Sequence, residues 1–219
     1  MSALALLSGG LDSTVAAVLH RETAGRVDLG LFVDYGQRAA VPEARAAGAV
    51  ARFLGCELLR VELPLLAAET RTALVSRGVE LPHPDPGRLD EAASAAAGAD
   101  AVWVPNRNGL LVNLAAAVAE ARGMSCVIVG FNAEEGRSFP DNSARFLRHL
   151  NLCLEDSTRG RVTVVSPTLE LTKERIWAAG RAHAAPLEAT WSCYEGGEQP
   201  CGRCESCCRV ERARRSAGG

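Results

Sequence analysis

Ala3-Leu4-Ala5-Leu6-Leu7-Ser8-Gly9-Gly10-Leu11-Asp12-Ser13-Thr14-Val15 decides the fold of this chain. Ala3–Leu7 is an unbroken apolar run of strand length. From Ser13 to Ala24 the apolar positions Val15, Val18 and Leu19 recur at helical spacing, with Gly25 as a stop. Between strand and helix lie two adjacent glycines, which let a backbone pass close to a bulky anion. The free N–H groups at a helix start favour negative charge there. Ser8, Ser13 and Thr14 add hydroxyl donors. A Walker A loop would end Gly-Lys-Ser/Thr and a dinucleotide fingerprint would run Gly-x-Gly-x-x-Gly, and the segment has neither. The competing reading is an ordinary glycine-rich turn, against which stand Asp12 and the three hydroxyls.

The same strand-then-helix pattern repeats downstream. Val27–Val33 reads as a strand ending at Asp34-Tyr35-Gly36-Gln37-Arg38, and Pro42 and Gly55 bracket a second helix. Glu57–Leu63 is a third strand. From Leu65 to Asp100 the pattern weakens through Pro82, Pro84, Pro86 and Gly87. This stretch is expected to be a long, partly mobile excursion. Val102-Trp103-Val104-Pro105 leads through Asn106-Arg107-Asn108-Gly109 into a helix expected over Leu110 to Arg122. Cys126–Phe131 and Val162–Val165 are continuous apolar strands, and Ser143–Glu155 and Thr172–Ala184 are expected helices. The fold class that follows is α/β, a doubly wound, mostly parallel sheet, with ligands expected at the carboxyl ends of its strands. The expected division is a main domain over 1–185 and a C-terminal metal-binding segment over 186–219.

The chain has 219 residues, 47% hydrophobic content and a formal net charge of -2. It can bury a full core and exerts no global pull on nucleic acid or anionic membrane, so a small-molecule substrate is favoured. No run approaches the roughly 18 apolar residues of a membrane span and no basic leader is evident, so a cytoplasmic protein is expected. Of eight cysteines, Cys193, Cys201, Cys204 and Cys207 are spaced C-x7-C-x2-C-x2-C. Tight C-x-x-C turns suit tetrahedral zinc in a closed, structural shell. An iron–sulfur cluster, a redox pair or substitution by Cys208 are the alternatives. Cys56, Cys126 and Cys153 read as buried small hydrophobes. His20, His83, His149 and His183 form no ligand spacing. Arg209, Arg212, Arg214 and Arg215 read as a solvated helix or frayed tail.

Six motifs in order resemble the QueC family of the PP-loop ATP-pyrophosphatases. They are Ser8–Thr14, Asp34–Arg38, Val104–Asn108, Phe139-Pro140-Asp141, Ser166-Pro167-Thr168 with Lys173, and Cys193-Tyr194 through Cys207. The resemblance implies an adenine-nucleotide α-hydrolase-like domain with a zinc-bearing tail. It also implies a carbon–nitrogen ligase that turns 7-carboxy-7-deazaguanine and ammonia into the nitrile with ATP, toward queuosine or related deazapurines. A homodimer is implied, with no direct nucleic-acid partner and no membrane. A relative that stops at the amide or conjugates the activated deazapurine, and a tRNA-modifying PP-loop enzyme, are the alternatives. Two places depart from the usual family pattern. Phe139 and Asn142 stand where Tyr and Cys are usual, and Asn106 where Gly or Ala is common.

On that resemblance Leu7, Ser8, Gly9, Gly10, Leu11, Asp12, Ser13 and Thr14 hold the pyrophosphate, joined by Asp34, Gln37 and Arg38 over the nucleotide. Asp12 orients Mg²⁺ or the loop, or simply caps its helix. Arg107 offers a fork for a phosphate or the substrate carboxylate, and Lys173 a point charge for the transferring phosphates, each with a plain surface role as its rival. Asp12, Ser13, Arg107 and Lys173 are the expected catalytic group. Arg107, Glu134 and Asp141 are expected on the deazapurine, the two acids accepting its N–H groups.

Overall fold

The computed structural model describes residues 2–217, apart from the side chains of 92–94. Five strands, β1 (Ala3–Leu6), β2 (Val27–Asp34), β3 (Glu57–Glu62), β4 (Cys126–Ile128) and β5 (Thr163–Val165), form one sheet in the order β3-β2-β1-β4-β5. Every pairing is parallel. The helices are α1 (Leu11–Thr23), α2 (Ala40–Leu54), α3 (Leu65–Glu69), α4 (Ala92–Val102), α5 (Arg107–Ala121), α6 (Glu135–Ser138), α7 (Ala144–Ser157), α8 (Lys173–Ala182) and α9 (Glu205–Ser216).

The lack of polar residues in β1 and β4 follows from burial on both faces. Ala3, Ala5 and Leu7 alternate onto the α1 and α2 side with Ala16, Ala17, Ala47 and Val50. Leu4, Leu29, Leu31, Val127 and Val164 face the other layer, with Val112 and Ala115 of α5 and Leu150 and Leu154 of α7. A third cluster joins Leu11 and Val15 of α1 to Ile176 and Trp177 of α8 and Ala213 of α9. Alanines on α1, α2 and α5 let these helices lie close to the strands. Among the described residues no helix is long and apolar enough to cross a membrane.

Four expectations need correction. The stretch 65–100 is packed rather than loose: α3 and α4 lie within or at the end of it, and Ala73, Leu74, Leu81 and Leu89 are buried. Alanine's helix propensity lets α4 form despite little amphipathicity. Helix α5 starts at Arg107, three residues early, because Asn106 adopts a left-handed conformation (φ 51°) and acts as its cap residue. Asn tolerates that region, which accounts for an Asn at this position. The C-terminal arginines form a regular helix, and Arg209 within it is buried. Cys126 is buried as expected, but Cys153 is exposed on α7.

Gly130, just beyond β4, lies against the first turn of α1. A Cβ there would stand 2.5 Å from Ser13 N and 2.7 Å from Asp12 C, both rigid backbone. Gly130→Ala is therefore expected to push α1 off the sheet and lower stability by about 1–3 kcal/mol. Urea denaturation checks this, and an unchanged midpoint would contradict the packing described.

Candidate active site

Strand order reverses between β1 and β4, and in doubly wound sheets ligands bind outside the strand ends at that point. A crevice of about 220 Å³ opens there. Leu6, Phe32, Val33, Leu74, Val102 and Val129 form its apolar part, and Ser8, Gly10, Asp12, Ser13 and Lys173 its polar end.

The glycine loop is built for close backbone approach. Gly9 has φ +77°, and a Cβ on it would meet Glu43 O at 2.5 Å and Ala47 N at 2.8 Å. Only glycine fits, for conformation and for space. Ser8 Oγ lies 3.0 Å from Ser13 Oγ and accepts from Gly10 N at 3.3 Å. The C-terminal segment closes the loop from above: Trp191 N donates to Gly9 O at 2.8 Å and Leu11 N donates to Ser192 Oγ at 3.3 Å. Gly10 N and Leu11 N are thus taken by Ser8 Oγ and Ser192 Oγ, and the N–H groups of Asp12 and Ser13 follow them in the first turn of α1.

Lys173 begins α8, only 3% exposed, and its Nζ donates to Asp12 Oδ2 and, at 2.7 Å, to Glu135 Oε1. Burial works against the ammonium, but the two carboxylates outweigh it and hold Lys173 above its ordinary pKa. Burial pushes Asp12 up to about 6 despite the pull of Lys173. Asp12 Oδ1 is buried and has no hydrogen-bond partner among the described residues. Two carboxylates against one ammonium leave the cluster one negative charge, with an acceptor oxygen to spare. Such a donor set fits a hard divalent cation.

Opposite stands a second polar group. Arg107 Nη1 donates to Tyr35 Oη at 3.3 Å and its guanidinium lies 5.8 Å from the Tyr35 ring centroid. Gln37 donates to Glu43 Oε2 at 2.8 Å, and its Oε1 accepts from Tyr35 N at 2.9 Å. Burial pushes Glu43 up to about 7, with the Gln37 bond opposing.

Leu7, Ser8, Gly10, Asp12, Ser13, Gln37, Arg107 and Lys173 thus converge on one crevice, as their motifs suggest. The remaining candidates do not line it. Gly9 is packed against α2, Leu11 points into the α1–α8 core, and Thr14 is fully buried. Asp34 closes its own turn by accepting from Gly36 N at 2.9 Å. Arg38 is spent on the carbonyls of Ser76 (2.5 Å) and Val79, stapling the 65–100 stretch to the end of β2. Asp141 contributes a main-chain carbonyl to Asn108 Nδ2 at 3.2 Å. Glu134 faces away: Oε1 accepts Lys173 N at 2.8 Å, and Oε2 accepts Arg209 Nη1 at 3.1 Å and Arg212 Nη2 at 3.0 Å. Its neighbour Glu135 takes the place on the crevice. Asn132 Oδ1 accepts both their N–H groups, at 3.1 and 2.9 Å, and so sets which acid faces which way. Glu43 escaped the sequence reading, and Tyr35, Glu135 and Tyr194, which also line the crevice, were read only as members of their motifs with no role of their own. A lone Glu after Pro42 in an alanine-rich helix was the available signal for Glu43.

Cys193, Cys201, Cys204 and Cys207 place all four Sγ atoms within 4.8 Å of one another, and Cys201 and Cys207 are 4.0 Å apart. Tetrahedral Zn–S bonds of about 2.3 Å require S···S separations near 4 Å. The thiols accept backbone N–H groups, Cys193 Sγ from Glu195 and Cys201 and Cys201 Sγ from Cys204, each at 3.3 Å. The cluster could hold a metal ion. Cys208 turns away toward Arg203 O.

Fold and site define a Rossmann-like α/β protein of the PP-loop kind. The chain belongs to the QueC family: the model described as "Queuosine biosynthesis protein QueC" matches residues 2–218. It is 48% identical over 219 residues to the 7-cyano-7-deazaguanine synthase of Desulforudis audaxviator, covering 100% of this chain and 99% of that one. It is 42% identical over 221 residues to the synthase of Methanosarcina barkeri, covering 100% and 95%. Among solved structures, NMN synthetase from Francisella tularensis shares the fold, with TM-score 0.50 and 16% identity over 99% of this chain and 83% of that one.

Glu43 gives a pH-dependent expectation. Its folded pKa near 7 exceeds the ordinary 4.5, so the unfolded chain loses this proton first and stability falls as pH rises from about 4.5 to 7. Glu43→Gln should raise the unfolding free energy from urea titration at pH 8 by on the order of 1–3 kcal/mol and leave it nearly unchanged at pH 4.5. Equal effects at both values would contradict the burial described.

Proposed function

We propose that this protein converts 7-carboxy-7-deazaguanine and ammonia to 7-cyano-7-deazaguanine, cleaving two ATP to AMP and pyrophosphate. The observation that carries the reading is the Asp12–Lys173–Glu135 cluster at the glycine loop, in a chain of the QueC family. A carboxylate does not accept ammonia because its oxygen leaves poorly. Attack of that oxygen on the α-phosphorus of ATP releases pyrophosphate and makes an acyl adenylate. Ammonia then displaces AMP to give the amide, losing a proton. The amide oxygen attacks a second ATP, and loss of AMP with the remaining N–H protons leaves the nitrile.

The residues divide this work. The first turn of α1, with the hydroxyls of Ser8 and Ser13, holds the leaving pyrophosphate, and Lys173 stabilises charge on the phosphates. Asp12 Oδ1 would hold Mg²⁺, which when bound neutralises phosphate charge. Arg107 orients the substrate carboxylate, and the apolar part of the crevice takes the adenine. Glu43, poised near neutrality, accepts the N–H proton as nitrogen enters or the nitrile forms. Cys193, Cys201, Cys204 and Cys207 would hold zinc in a closed structural shell with no catalytic position, in a tail that reaches the glycine loop through Trp191 and Ser192. The active form is a homodimer.

Incubation with ATP, Mg²⁺, ammonium and 7-carboxy-7-deazaguanine should yield the nitrile by mass spectrometry. A product that stops at the amide, or no turnover, overturns the assignment. Asp12→Ala should lower turnover at least 100-fold while zinc stays near one equivalent per chain. Cys204→Ser should lose both zinc and cooperative folding; a folded, metal-loaded variant would contradict the structural role.

A further inference from the structure

Beside the crevice lies a second cavity, of about 200 Å³, that the steps above leave unused. Its walls include Pro82, Leu89, Ala95 and Gly98, and it is lined by one carboxylate, Glu205, at the first position of α9. Glu205 is 7% exposed. Its Oε1 accepts from Arg209 Nε at 3.0 Å, whereas Oε2 is buried with no hydrogen-bond partner among the described residues. A Cβ on Gly98 would lie 3.4 Å from Oε2, so the missing side chain is what opens the space in front of that oxygen. An unpartnered buried carboxylate oxygen is costly, and a ligand donor would remove the cost.

The two cavities share walls. Glu205 faces the second cavity while the next residue, Ser206, lines the crevice. On α4, Gly98 lines the second cavity and Val102 the crevice. The two cavities therefore adjoin along α4 and α9, each with residues of both helices in its lining, and His83 stands with Glu205 among the apolar walls of the second.

We infer that this cavity seats the N–H edge of a 2-aminopyrimidin-4-one ring, with Glu205 Oε2 accepting from the ring N–H or the exocyclic amine. The carboxylate is an acceptor only, so it selects a donor edge and rejects rings that present a carbonyl there. Glu134, the acid that the sequence suggests for this role, is already saturated by Lys173 N, Arg209 and Arg212. The inference rests on the deazapurine reading for the identity of the ring. A guanine nucleotide carries the same edge, and the two sources are separated by competition.

The test is steady-state kinetics on the full-length, metal-loaded protein. Wild-type turnover of 7-carboxy-7-deazaguanine is established first, and its absence would be a failure of the proposed function rather than of Glu205. Given turnover, the analogue lacking the 2-amino group should raise KM by about 10–100-fold. Glu205→Gln keeps an acceptor for Arg209 but turns an amide donor toward the cavity. It should raise KM for the parent substrate by a similar factor, lose discrimination between the two substrates, and leave KM for ATP and zinc content unchanged. Gly98→Ala fills the space at Oε2 while favouring helix α4, so it should raise KM for the deazapurine without lowering the melting temperature. 7-Deazaguanine should compete more strongly than GMP; the reverse order would overturn the assignment to the deazapurine. Unchanged KM and undiminished discrimination in both variants would overturn the site.

Discussion

A buried ammonium between two carboxylates holds this site together. Lys173 opens α8, Asp12 lies in the first turn of α1, and Glu135 opens α6 just beyond β4. Their contacts pin three segments that converge on the β1–β4 junction. Removing one partner from such a cluster strands an uncompensated charge, which is far more damaging than the modest net worth of the intact pairing suggests. The arrangement is costly for stability alone. It makes sense as a preorganised field at the place where phosphate charge develops.

The rest of the molecule supports that cluster. Gly130 lets the end of β4 touch the start of α1, and Gly9 lets the loop lie on α2. Arg209 reaches from the helix that carries Cys207 to Glu134, to Asp90 and to the Leu89 carbonyl. Glu134 in turn accepts the Lys173 N–H. The four-cysteine tail, the packed 65–100 stretch and Lys173 are thus linked through one buried guanidinium. A tail too glycine-rich to fold alone becomes a roof over the glycine loop, through Trp191 and Ser192.

The sheet was legible because β1 and β4 at its centre are apolar on both faces and its loops carry glycine and proline. The glycine loop was legible too, since Ser8–Ser13 is a local strand-loop-helix unit. Long-range pairing was not. Asp34 and Arg38 look like ligands by their place after a strand, but nearby backbone N–H and carbonyl groups occupy them. Glu134 and Glu135 are adjacent in sequence and face opposite ways, a choice made by Asn132. Arg209 looked like a tail residue because its acidic partners are more than 70 positions away, apart from Glu205 one turn earlier. The 65–100 stretch misled because alanine-rich helices lack the periodic pattern that marks a buried face.

The central claim is that the crevice activates oxygen of the substrate through the α-phosphate of ATP, twice. Doubly ¹⁸O-labelled carboxylate on 7-carboxy-7-deazaguanine tests it most directly, with AMP, pyrophosphate and inorganic phosphate followed by mass spectrometry. The account predicts two AMP per nitrile, each carrying one ¹⁸O, and unlabelled pyrophosphate. Label in inorganic phosphate, with ADP as the nucleotide product, would contradict it.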